Sequence, residues 1–362
     1  MPGARKESEA MLEELLEDLK IRMSLPELRA ILKEEDLPKA IGWKQLAEKI
    51  SESTPDIVIK AARILGTLQG DTRVAGTRQA YIYQLPKEEI RSFRSEFNAA
   101  EVSPNAYSTA FPKTLRETQL KKQDAEYHLA AKIEKTNGDV SLVFCSKRSQ
   151  EERLTYQMRE VGEAVQLAFD GYDHFIAIRT FDYQIFDVIN LRPSLERVEI
   201  LIDQPQLIRS PNTADSRMLG VLGFASNSLP CLIPLYEANA PMNLYACISG
   251  LYHSKTQGRV SRLSCRLPTG PVVKESMNTS DDMRNETFHS AGVTAVDQIK
   301  PFDITVVWDS MINVSGRVEV QVGTGVLSLG TENPLVTSAR LNSIRSDNGI
   351  IAAINKLVSH SQ

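Results

Sequence analysis

The sequence predicts an α+β protein, with an N-terminal helical winged helix-turn-helix domain followed by a larger β-rich α+β region. Three observations carry this. Trp43 to Pro86 reads as helix, turn, helix and hairpin, in the order of a winged helix. From Tyr127 onward, short runs of Val, Ile, Leu and Phe are bounded by Gly, Pro, Asn and Ser, the pattern of strands and turns. The chain of 362 residues is 42% hydrophobic and 24% charged, an ordinary composition for a folded protein long enough for two or three domains.

The first nine residues are polar and are expected to fray. From Ala10, Met11, Leu12, Leu15, Leu16 and Leu19 recur on one side, with Glu13, Glu14, Glu17 and Asp18 elsewhere, which predicts an acidic amphipathic helix packed on the winged domain. Ser24-Leu25-Pro26-Glu27 has capping-box spacing, and a helix follows through Leu28, Ile31 and Leu32. Trp43 to Ile50 is the next helix, and Ser51 to Thr54 makes the turn. Thr54 is expected to cap the second helix with its hydroxyl, Pro55 suits the first helical position, and Asp56 complements the dipole.

That second helix places Ile57, Ala61, Ile64, Leu65 and Leu68 on one face. Lys60, Arg63 and Thr67 lie roughly opposite, with Ile59 beside them. Gly70-Asp71 is expected to stop it. Thr72 to Val74 and Gln79 to Leu85 then read as the two strands of a wing around Ala75-Gly76-Thr77, with Arg73 and Arg78 beside the turn. Glu88 to Phe97 reads as a helix and 98–112 as a linker. Lys113, Arg116, Lys121 and Lys122 against Glu117 form a small basic cluster that could extend a phosphate footprint.

Beyond Tyr127, Leu129 to Ile133 and Val140 to Phe144 flank Asn137-Gly138, a strong hairpin signal expected to form a type I′ turn. Arg153 to Phe169 reads as helical. His174 to Ile178, Gln184 to Ile189 and Val198 to Ile202 read as strands, and Ala214 to Ala225 as a helix. Leu244 to Leu251, Arg259 to Leu267, Ile304 to Trp308, Arg317 to Val322 and Val326 to Leu329 read as further strands. Lys274 to Ser290 reads as a long exposed loop, and Asn348 to Val358 as a closing amphipathic helix. The expected division is 1–86, a helical region with the winged helix; 87–126, a linker; and 127–362, a β-rich region with possible subdomains 127–230 and 231–362.

Catalytic signals are weak. Asp182 and Asp187 lie around a strand and Glu196, Glu199 and Asp203 follow, but no Lys stands where a metal-dependent nuclease needs one. Gly323-Thr324-Gly325 lacks the Lys-Ser/Thr of a phosphate loop and reads as a tight hairpin. His253 lies between Cys247 and Cys265 without the close spacing of a zinc site, and Cys145, Cys231, Cys247 and Cys265 read as buried free thiols. Three matches to the glycosylation pattern, at Asn278, Asn285 and Asn313, are read as chance because no signal segment is evident.

The net charge is −4 and the pI about 5.9, so a nucleic-acid site must be a local patch. Lys60, Arg63, Arg73 and Arg78 against Asp56 and Asp71 give the winged region a local excess of +2. The expectation is a non-enzymatic DNA-binding protein, either a regulator or the DNA-engaging subunit of an assembly. Double-stranded DNA would contact Lys60, Arg63, Thr67, Arg73, Arg78, Lys121 and Lys122. Other subunits or self-association fit this reading. No cofactor, metal or membrane is expected, and the place is intracellular, cytoplasmic or nuclear. The alternative is an adaptor or scaffold subunit whose winged helix and sheet edges bind other proteins.

Overall fold

The computed structural model describes residues 2–205, 214–296, 298–311, 314 and 316–361. The protein is mixed helix and sheet. Four helices come first: α1 (Pro2–Arg22), α2 (Leu25–Glu34), α3 (Trp43–Ser51) and α4 (Pro55–Val74). Their apolar faces close one core, with Leu12, Leu16 and Leu19 of α1 against Leu28, Leu32, Leu46, Ile50, Ala61 and Leu65. The Ser24 capping box forms: Glu27 N–H donates to the Ser24 hydroxyl, and the Glu27 carboxylate accepts from the Ser24 N–H at 2.7 Å. Thr54 makes no side-chain cap, so Pro55 and Asp56 are what mark the start of α4. Leu65 is fully buried in this core. Leu65→Ala is therefore expected to cost about 2–5 kcal/mol in a urea melt. A cost well under one would mean the four helices do not share a core.

The winged helix does not form. Helix α4 runs past Gly70-Asp71 to Val74, so Thr72 to Val74 is helix and not strand. Two glycines in a helix interior cost about 1 kcal/mol each relative to alanine. The last turn offsets this by burying Leu68, Gln69, Thr72 and Arg73 at helical spacing. The residues after it form β1 (Gly76–Gln84), which is no solvent-facing wing strand but lies in the middle of a ten-stranded sheet. Burial rather than local turn chemistry decides this: Ala80, Tyr81, Ile82 and Tyr83 are buried in succession, as a strand covered on both faces requires.

The sheet is antiparallel in every pairing among the described residues, with order β2-β3-β4-β5-β1-β10-β9-β8-β6-β7. Its strands are β2 (His128–Glu134), β3 (Val140–Gln157), β4 (His174–Arg192), β5 (Arg197–Asp203), β6 (Arg259–Arg266), β7 (Val272–Ser276), β8 (Lys300–Trp308), β9 (Val318–Gly323) and β10 (Ala339–Ile344). Residues 127–230 and 231–362 thus contribute to one sheet, joined where β1 pairs with β10.

Two helices, α5 (Ile90–Ala99) and α9 (Ala214–Ser226), cover one face of the β2-to-β1 half. Phe93, Phe97, Val221 and Leu222 meet Tyr83, Phe144, Ile189 and Ile200 there. The opposite face is one continuous apolar layer across both halves. Over the second half α11 (Tyr245–His253) and α13 (Asp347–His360) seal it. Short helices α6 (Ala106–Ala110), α7 (Glu117–Leu120), α8 (Glu163–Ala168), α10 (Ile233–Ala238) and α12 (Thr287–Thr294) complete the chain.

Several sequence expectations change. Leu244 to Leu251 is helix α11, because Cys247, Ile248, Leu251 and Tyr252 bury at helical spacing and not at alternate positions. Val326 to Leu329 is a single 3-10 turn, so Gly323-Thr324-Gly325 does not join a strand pair. Arg153 to Gln157 continues β3 in register with His174 to Ile178, leaving only Glu163 to Ala168 as α-helix. Lys274 to Ser290 holds the end of β7 and the start of α12, and β10 falls in a stretch that carried no strand expectation. Gly138 takes a positive φ but Asn137 does not, so the hairpin closes by a turn ending in Gly138 and not as type I′. The Asn313 sequon lies outside the described residues.

Candidate functional site

The seven residues expected to face DNA part company. Arg73 and Arg78 have no exposed surface. Arg73 is paired with Asp18 of α1, donates from Nε to the Pro112 carbonyl at 2.6 Å, and lies over the Phe186 ring at 4.4 Å. Arg78 donates to the carbonyls of Thr72, Arg73, Ala75 and Phe186. These two arginines hold the helical unit to the sheet, so neither can reach a phosphate. Lys60 is half-spent, with Nζ on the Glu35 carbonyl at 2.5 Å. Lys121 pairs with Glu117 at 2.6 Å. Arg63 and Lys122 are exposed, and the exposed Thr67 donates its hydroxyl back to the Arg63 carbonyl at 3.1 Å.

A dense polar cluster lies behind Arg73 and Arg78. Arg22, from the end of α1, pairs with Asp203 of β5 and donates to the Gln184 carbonyl at 2.8 Å. Asp203 also accepts from the Phe186 N–H at 3.0 Å and stands 3.5 Å from Arg78. Asp187 accepts from Arg217 at 2.5 Å and from the Tyr127 hydroxyl at 2.8 Å. Burial alone would raise the Asp203 carboxyl, but Arg22, Arg78 and Arg217 hold it below its ordinary range. Burial drives the Arg78 guanidinium down to about 10 against the opposing pull of Asp203.

The carboxylates considered for metal chemistry are thus occupied: Asp187 and Asp203 here, Glu199 by Arg192 and Arg197, Asp182 by the Ser149 hydroxyl at 2.6 Å, and Glu196 by Lys87 at 3.5 Å. Among the described residues no cluster of three or more His, Cys, Asp or Glu could hold a metal ion. The four cysteines are buried and free. His253 is exposed and bonds within its own helix, to Ser249.

A different surface gathers positive charge. Helices α1, α2 and α4 stand over the uncovered polar face of β10, β9 and β6, and the cleft between them has a volume of about 800 Å³. The alternation that buries Val318, Val320, Val322 and Leu341 on the far face turns Glu319, Gln321, Arg340 and Asn342 into this cleft. Arg22, Arg262, Arg317, Arg340 and Arg345 line it against only Glu27 and Glu319, a local charge of +3 in a chain of −4.

Three of these arginines are paired: Arg22 with Asp203, Arg317 with Glu319, and Arg345 with Glu34 at 2.7 Å. Among the described residues no carboxylate lies within ion-pair distance of Arg262 or Arg340, both exposed; Arg340 Nε bonds the Asn342 side-chain oxygen at 2.9 Å. The end of α2 links this cleft to α4, since Glu34 bonds Arg345 while Glu35 receives Lys60. No family model matches the chain, and no curated protein matches it.

Four of the cleft's arginines, Arg262, Arg317, Arg340 and Arg345, come from the far end of the chain from α2, so no local charge run could announce it. One signal was present. Arg262 and Arg340 sit on strands beside apolar residues that point the other way, and Arg317 stands just before β9, which places them on a solvent-facing sheet surface.

Proposed function

We propose that the protein is a non-enzymatic DNA-binding protein that grips phosphates in the arginine-lined cleft. The observation that supports it is the pair Arg262 and Arg340, exposed and, among the described residues, without a carboxylate in ion-pair distance, in a cleft lined by five arginines and two glutamates. Guanidinium groups suit phosphate because their planar fork of donors matches two oxygens at once. Among the described residues no aromatic side chain lines the cleft, which favours recognition of backbone charge over stacking on bases.

Charge reversal at both positions, Arg262→Glu with Arg340→Glu, should weaken binding of a labelled duplex by tenfold or more, roughly 1.4 kcal/mol. Both side chains are exposed, so the melting temperature should hold. Unchanged affinity would transfer the proposal to the adaptor reading. That reading has its own support in exposed apolar side chains on the helical unit, Ile41 and Ile59, and on the long β3–β4 ribbon, Leu154, Ile176 and Ile178.

A further inference from the structure

The two longest strands, β3 and β4, pair without interruption from Val140↔Leu191 to Gln157↔His174. Their neighbours are far shorter. Strand β2 reaches only to Cys145 of β3, and β5 pairs only with Val188 to Arg192 of β4. Among the described residues, no strand therefore pairs with either edge of the projecting part of the ribbon, and α7 with the segment after it packs only near its base. A two-stranded ribbon alone in water is marginal.

The two edges differ. Along β3, Lys147, Arg148, Glu151, Glu152 and Arg153 supply the charges that discourage edge pairing. Along β4 the stretch His174-Phe175-Ile176-Ala177-Ile178-Arg179-Thr180-Phe181-Asp182 has no Lys and no Pro, and Ile176 and Ile178 are more than half exposed. The orientation of its backbone is readable. Phe186 sends its N–H to Asp203 and its carbonyl to Arg78, both away from β3. Alternation at two residues then makes 182, 180, 178, 176 and 174 present their N–H and C=O groups on the outer edge.

We propose that this edge, His174 to Asp182, pairs antiparallel with the same edge of a second copy of this chain about a two-fold axis at Ile178. The edge is self-complementary in that register. His174 falls opposite Asp182, Phe175 opposite Phe181, Ile176 opposite Thr180 and Ala177 opposite Arg179, each contact occurring twice, and Ile178 meets itself once on the axis. Every residue that presents backbone groups meets another that does, so the ladder closes along the whole free length. The turn region beyond the edge carries Glu160, Glu163, Asp170 and Asp173 against Arg159, which disfavours a polyanion as the occupant.

Sedimentation equilibrium of the full chain should give a dimer. Ile178→Pro removes an outward N–H that β3 does not use, and should weaken dimerisation roughly thirtyfold or more while the melting temperature holds. The second variant, Ile178→Cys, should cross-link to a covalent dimer on mild oxidation, since Cα atoms of a hydrogen-bonded antiparallel pair lie about 5.5 Å apart. The four native cysteines are buried and leave that product unambiguous. A monomer at every concentration would overturn the proposal. So would a dimer that persists in Ile178→Pro and fails to cross-link in Ile178→Cys.

Discussion

Asp203→Ala is expected to destabilise the protein by about 3–5 kcal/mol, enough to remove much of the stability of an ordinary domain. Asp203 is buried among Arg22, Arg78 and Arg217, and its removal leaves Arg22 and Arg78 as buried cations without their carboxylate. The site joins the end of α1 to β5, β1 and β4, so the loss should loosen the helical unit from the sheet. Urea unfolding of the variant measures it. The paired replacement Arg22→Met with Asp203→Leu removes both charges and should recover part of the loss, because a buried pair is costly chiefly when broken. A single variant as stable as the wild type would show that the helical unit does not depend on this contact.

The pH dependence follows from the same group. The folded-state carboxyl of Asp203 lies below its ordinary value, so its stabilisation is fully present above the unfolded value of about 3.9. It is lost as the pH falls below that value and through the lower folded one. Wild-type stability should therefore drop in acid below about pH 4, and the drop should be smaller in the paired replacement.

Arg192→Ala should be comparably severe. Arg192 has no exposed surface and meets three carboxylates: Asp139 at 3.0 Å, Glu199 at 3.1 Å and Asp347 at 2.6 Å. Although burial works the other way, Glu199 and Asp347 raise its proton affinity. Without it, Glu199 keeps Arg197 at 2.7 Å and Asp347 keeps Lys135, but Asp139 retains no cation among the described residues. The expected cost is about 3–5 kcal/mol. Because Asp347 opens α13, hydrogen exchange should speed first in that helix. Unchanged protection of α13 would mean that it is held by its apolar face alone, through Ile350, Ile354 and Leu357.

The α+β class, and most helices with a clear start signal, were legible in the sequence. The Ser24 capping box and the Pro55 start mark α2 and α4, and the alternating run of Val318 to Val322 marks β9. The wing was misread because the turn residues Ala75-Gly76-Thr77 do occur between two ordered stretches. What they join is a helix and a central strand, and the partners that decide this, β5 and β10, are more than 100 residues away. The same distance explains Arg73 and Arg78. Charge beside a turn reads as exposed until Asp18 and the Phe186 carbonyl arrive from elsewhere in the chain. Helix α11 was misread for a different reason. Leu244 to Leu251 is apolar nearly throughout, and such a run does not distinguish a buried helix from a buried strand.

On the proposed reading, the cleft holds DNA by phosphate contacts from Arg262 and Arg340. The most direct measurement is the affinity of the full chain for a labelled duplex over a series of salt concentrations, for the wild type and for the variant Arg262→Glu with Arg340→Glu. Each phosphate contact contributes about 0.9 to the slope of log affinity against log salt. The slope should therefore be steep in the wild type and shallower by roughly two in the variant, with affinity reduced at every salt concentration. Wild-type affinity that is insensitive to salt, or an identical slope in the two proteins, would contradict the claim.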